Sequence, residues 1–194
     1  RIMHTIYWQM KHVEANIHFS RIAVRNNHAI TETLTLYLVG LLYPFFPESK
    51  RWKNLGKQWF EEEITYQIYE DGTFLQFSMN YHRLADLNEE RFSNVVYDRA
   101  RKSVTFLRAC QDEKTGWLPN YGNNDGALFF PLNNALYRDY RPQLAALEAT
   151  LGIESEVVED KFWYGLKNAS GQPKTTATEP QSFSKGGYYT LKDA

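Results

Sequence analysis

The chain has 194 residues, 43% hydrophobic and 23% charged, a composition that supports one domain with a sizeable core and excludes a disordered chain. A net charge of −1 gives no basic field for nucleic acid, and no apolar run reaches the roughly 18 residues of a membrane span, so neither partner is expected. The single cysteine, Cys110, excludes an internal disulfide and any cysteine metal site and reads as a buried thiol.

Ile6, Met10, Val13, Ile17 and Val24 recur at helical spacing and predict a first helix over residues 2–24. Arg21, Arg25 and His28 would continue one of its faces, and the Asn26-Asn27 pair should end it, because Asn tolerates the left-handed conformation of a helix C-terminus. A second helix is predicted over 29–42, with Ile30, Leu34, Tyr37, Leu38 and Leu41 inward, and Tyr43-Pro44-Phe45-Phe46-Pro47 breaks it. A third runs over 51–67, with Trp52, Leu55, Trp59, Phe60 and Ile64 inward and Glu61, Glu62 and Glu63 as a solvated face.

Asp71-Gly72 predicts a tight turn. Residues 81–109 are helical in pattern, interrupted near Asp86-Leu87-Asn88, with Leu84, Phe92, Val95, Val96, Val104 and Leu107 as core candidates. Arg99, Arg101, Lys102 and Arg108 read as a solvated helix face, with attraction of a polyanion as the alternative. Residues 111–125 are loop, and short helices are expected over 133–138, 142–151 and 160–164. The polar, Gly- and Pro-containing stretch 168–182 reads as a linker, and Phe183 with Gly187-Tyr188-Tyr189-Thr190-Leu191 reads as a first β-strand. The fold class is therefore mainly α: residues 1–167 form a helical domain and 183–194 open a following β-domain. The chain opens on Arg1 in mid-helix and is expected to be a piece of a longer protein.

Two stretches depart from ordinary amphipathic helix. Arg25-Asn26-Asn27-His28-Ala29-Ile30-Thr31-Glu32 and Asp71-Gly72-Thr73-Phe74-Leu75-Gln76-Phe77-Ser78-Met79-Asn80-Tyr81-His82-Arg83 concentrate amide, imidazole, phenol and guanidinium groups. The Asn27 amide can donate two hydrogen bonds, and His28 can donate, accept or carry charge near neutral pH. Glu32, one turn after His28, could orient the imidazole. The Tyr81 phenol becomes a base where cations such as Arg25, His82 or Arg83 stabilise the phenolate. An amide that neutralises a carboxylate, an imidazole and an activated phenol suit β-elimination on a uronic acid sugar, in which charge develops on the carboxylate as the neighbouring C–H proton leaves.

Asn-Asn-His-x-x-x-Glu, the Pro-rich break, the Trp helix, Gln-Ile-x-x-Asp-Gly and Ser-x-x-Tyr-His, in that order, resemble the heparinase II/III-type polysaccharide lyases and their oligoalginate-lyase relatives. The resemblance runs over residues 20–92 and more weakly through 119–125 and 183–191. It implies an incomplete (α/α) toroid followed by an antiparallel β-sandwich, with no cofactor and an acidic polysaccharide as substrate. In catalysis it implies Asn27 as the group that neutralises the carboxylate, His28 as a carboxylate-neutralising or base group depending on the subfamily, and Tyr81 as acid and in some members also base. Glu32, His82, Arg83, Arg25 and Gln76 would be supporting or substrate-binding residues; Gln76 stands where relatives often have Glu. The other expected partner is the β-sandwich domain of the same protein, the expected setting is bacterial periplasm or secretion, and the chain alone is expected to be inactive.

Two other readings remain. A glycoside hydrolase needs two carboxylates across a cleft, for which Glu32, Asp71 and Asp125 are the candidates. A non-catalytic glycan-binding domain would keep the aromatics, 15% of the chain, and dispense with Asn27, His28 and Tyr81. No metal is expected: His4 and His12 lie two turns apart, His18 is about 120° off their face, and the Gly122–Gly126 loop lacks the closing carboxylate of a calcium hand.

Overall fold

The first stretch of apolar periodicity forms α1 (Ile2–His18), and a π-helical turn, Phe19–Val24, continues it. Then come α2 (Asn27–Leu42) and α3 (Ser49–Gln67). In this computed structural model the described residues are 1–75, 92–122, 132–156, 158–166 and 180–191. They fall into two compact units, Arg1–Gln67 and Ile68–Ala194, and the whole is mainly helical with a small two-stranded sheet near the C-terminus.

In the first unit α2 is the central helix, buried around much of its circumference. Leu36 and Val39 meet Met10 and Ile17 of α1 and Trp52 of α3 in one apolar cluster. The Pro-rich break packs there too: Tyr43 and Phe46 join that cluster, with the Phe46 and Tyr7 rings 5.3 Å apart. Glu48 ties the break to α1 by accepting from Lys11 Nζ (2.9 Å) and the Tyr7 hydroxyl (3.2 Å). The α2–α3 approach is close because it runs over glycines. A Cβ on Gly40 would overlap the Lys53 and Ser49 backbone, and one on Gly56 the Tyr37 and Thr33 backbone. This packing turns Thr33, Tyr37 and Gly40 inward and leaves Leu34, Leu38 and Leu41, expected in the core, only half-buried.

The π turn shifts the phase of the first helix. Ser20 is buried at 3% exposure, whereas Val24, expected in the core, is 42% exposed. The Ser20 hydroxyl lies 3.0 Å from the Ile17 carbonyl, a back-bond of the kind that loosens an α-helical ladder.

The second unit contains α4 (Asn94–Cys110), α5 (Arg141–Thr150), α6 (Glu159–Trp163), and strands β1 (Gln181–Phe183) and β2 (Tyr188–Thr190). The strands pair antiparallel, Gln181 with Thr190 and Phe183 with Tyr188, so the single strand expected there is a hairpin. Phe183 packs with Phe106, Leu107, Ala109, Leu118 and Leu144, and Cys110 lies half-buried beside them. Burial, together with the neighbouring Tyr121 and Cys110, pushes the Tyr188 phenol up to about 12.

Arg108 is not on a solvated face: its guanidinium makes a two-pronged pair with the Glu148 carboxylate, at 2.7 and 2.6 Å, inside the α4–α5 contact. The helix expected over 133–138 is absent. Asn133 accepts from the Ala135 N–H (2.8 Å) and reaches Asp160 with its amide, while Arg138 lies 4.2 Å over the Trp117 ring. Side-chain bonds there displace the helical ladder. Leu84 and the expected interruption at 86–88 lie outside the described residues.

Candidate active site

The segment that joins the π turn to α2 changes backbone state twice in two residues. Arg25 closes the π turn through its N–H to the Ser20 carbonyl (2.6 Å) and adopts the left-handed conformation, φ 46°, alone among the described non-glycine residues. Asn26 is extended, and its Oδ1 accepts from the His28 N–H at 2.9 Å as an N-cap. The helix stop expected from the two asparagines thus belongs to Arg25, and Asn26 starts the next helix instead. Helix α2 begins at Asn27, two residues before the expected start, so Asn27 and His28 occupy its first turn. Asn27 is half-buried and His28 exposed.

Beneath this turn lies a group of polar side chains on α3. The Gln67 amide donates to the Asn26 carbonyl (2.9 Å) and to Glu63 Oε2 (3.1 Å). Glu63 is 1% exposed, and its two oxygens lie 3.5 Å from Arg21 Nε and Arg25 Nε. Arg25 stacks 3.4 Å over the Tyr66 ring; Arg21 lies 4.7 Å over Trp59 and pairs with Glu62. The reading of Glu61 to Glu63 as a solvated face therefore fails at Glu63. A signal was present: Gly56, Phe60, Glu63 and Gln67 recur at spacings of four, three and four, which places Glu63 on the inward stripe of α3.

Glu32 also differs from expectation. Its Oε2 lies 2.6 Å from the Ser20 hydroxyl, so it braces the π turn and does not orient the His28 imidazole. Gln76, Tyr81, His82 and Arg83 lie outside the described residues, as do Asp125 and the rest of the Gly122–Gly126 loop beyond Gly122.

The first turn of α2 carries the positive end of a helix dipole and holds Asn27 and His28, while the His28 and Ala29 N–H groups are taken by Asn26. Arg25, with a side chain 39% exposed, adds a cation to one side. Such a turn suits a carboxylate or sulfate group and would stabilise charge that builds on it.

Asp71, a candidate for hydrolytic acid chemistry, is committed elsewhere. Its Oδ1 accepts from the Thr73 hydroxyl (2.6 Å) and the Thr73 N–H (3.2 Å), and its Oδ2 from the N–H groups of Lys185 (2.7 Å) and Gly186 (3.3 Å). Burial opposes its ionisation, but these four donors outweigh burial and hold its pKa below the usual carboxylate value. Among the described residues no three His, Cys, Asp or Glu side chains gather as a metal site, and no helix is long and apolar enough to cross a membrane.

Comparison with known proteins bears on residues 3–96, which match the sequence profile of the Heparinase II/III N-terminus. A heparin-sulfate lyase of Bacteroides thetaiotaomicron is 23% identical over 183 residues, which is 86% of this chain. A heparin-sulfate lyase of Pedobacter heparinus is 31% identical over 71 residues, 37% of this chain. The aligned parts span 25% of the first relative's length and 11% of the second's. No solved structure matches significantly. With the Asn-Asn-His turn at the head of α2 inside the matched region, residues 3–96 are similar to the N-terminal region of the heparinase II/III-type proteins.

Proposed function

We propose that the protein carrying this chain is a polysaccharide lyase that cleaves an acidic, uronate-containing glycan by β-elimination, with a heparan-sulfate-type glycosaminoglycan as the first candidate. The observation that carries this reading is the placement of Asn27 and His28, an amide and an imidazole next to each other in sequence, in the first turn of α2. The names of the two relatives support the substrate class.

In the proposed reaction Asn27 and His28 bind the uronate carboxylate and stabilise the charge that develops on it. The Tyr81 phenolate removes the C5 proton, and the electron pair of that C–H bond becomes the C4–C5 double bond. The C4–O bond breaks, and the departing glycosidic oxygen takes its proton from the Tyr81 phenol. Arg25, Gln76, His82 and Arg83 contribute to substrate binding, and Glu32 supports the site through Ser20. The helices belong to an incomplete (α/α) toroid, a β-sandwich domain follows, and a periplasmic or secreted setting is expected. The chain alone is expected to be inactive, since catalytic groups must be held to fractions of an ångström by their surroundings.

The test uses the full-length protein with heparan sulfate, heparin, chondroitin, hyaluronan and alginate, following the near-ultraviolet absorbance of the unsaturated uronate. The expected outcome is a rise on heparan sulfate or heparin that Tyr81→Phe reduces by roughly 100-fold or more. Cleavage with uptake of water and no double bond would overturn the reading. The engagement of Asp71 with the hairpin leaves the hydrolase alternative without one of its named carboxylates.

A further inference from the structure

We propose that Glu63 and Gln67 are positioning residues: through the Asn26 carbonyl they fix the turn that presents Asn27 and His28 to the glycan carboxylate, an inference that rests on the lyase reading above.

The Asn26 carbonyl accepts two hydrogen bonds, from the Ala29 N–H (2.9 Å) within α2 and from the Gln67 amide on α3 (2.9 Å). The first exists in any helix that starts here; the second sets where that start lies relative to α3. Gln67 is itself 0% exposed and leans on Glu63, which is 1% exposed. Glu63 in turn faces Arg21 and Arg25, the latter being the residue in the left-handed conformation just before the cap. One carboxylate therefore braces both sides of the turn: Arg25 before Asn26, and Gln67 beneath it.

The group is a poor device for stability alone. Glu63 Oε1, Gln67 Oε1, Arg21 Nε and Arg25 Nε make no hydrogen bond in this arrangement, and the two ion pairs are 3.5 Å long. A buried carboxylate with such partners contributes little net stability compared with apolar residues of similar volume. What it does supply is a fixed position for the Asn26 carbonyl, and a misplacement of about 1 Å in a catalytic group can cost on the order of 100-fold in rate.

Two variants of the full-length protein test this. Gln67→Leu removes the donor to Asn26, and Glu63→Gln removes the charge at constant shape. Each would be checked for folding by its melting temperature, then assayed for kcat and KM separately and for hydrogen exchange of the peptide covering residues 25–32. In both variants kcat should fall about tenfold or more while KM stays within about twofold, because the lost interaction matters most as charge develops. The 25–32 peptide should also exchange faster. A folded variant with unchanged kcat, or with unchanged exchange in that peptide, overturns the proposal. If the wild type forms no unsaturated product on any acidic glycan, the lyase reading falls, and faster exchange in the variants then supports only the bracing of the turn.

Discussion

At Asn26 the side chain and the carbonyl have separate partners. Its side chain caps α2 through the His28 N–H, while its carbonyl is gripped independently by Gln67. Asn26→Ala removes only the cap and should lower stability by about 1 kcal/mol, read as a lower denaturation midpoint. Asn26→Asp retains the cap and adds favourable charge at a helix N-terminus, so stability should hold. The same negative charge repels an anionic glycan, so KM should rise several-fold; an unchanged KM would place the glycan carboxylate elsewhere. The Asn-Asn-His stretch stood out in the sequence because its residues stand together, but its asparagines start the second helix and do not end the first as expected. Glu63 did not stand out: three consecutive glutamates read as solvent-facing, and only the phase they share with Phe60 and Gln67 distinguishes the buried one.

At the level of elements, the closeness of α2 and α3 governs how the Asn26 turn meets Gln67. Gly56 lies against the Tyr37 and Thr33 backbone, so Gly56→Ala must force the helices apart or distort them. The expected cost is about 1–3 kcal/mol by chemical denaturation, the range for overpacking a core, even though Ala is the better helix former. The three long helices of the first unit were readable from apolar periodicity with a few residues' error at their starts. The π turn was not, since periodicity alone cannot register one extra residue in a turn; the clue was a buried Ser20 bonded to Glu32 twelve positions away. The absent helix at 133–138 failed for a related reason, its hydrogen bonds being taken by Asn133 and Asp160, a pairing across 27 positions that no local window contains.

On the scale of the whole molecule, each of the two units has its own core, and the second is closed by the Asp71 carboxylate. Asp71→Asn would turn an amide N–H₂ toward backbone donors and should cost about 1–3 kcal/mol. The sign of the pH effect follows from the depressed pKa. The stabilisation is fully present above the unfolded value, 3.8, and is lost as pH falls through the lower folded value. Wild-type hairpin exchange, followed by mass spectrometry of residues 180–191, should therefore accelerate below about pH 4, and Asp71→Asn should lack this step. Asp71 and Lys185 are also 114 positions apart along the chain. At synthesis rates of about 5–20 residues per second, Asp71 emerges on the order of ten seconds before the backbone groups that will hold it exist. The cluster of Met10, Ile17, Leu36, Val39 and Trp52 in the first unit needs no residue so far downstream. Phe106 and its neighbours likewise wait for Phe183, and this apolar surface is open to chaperone binding until the hairpin is made.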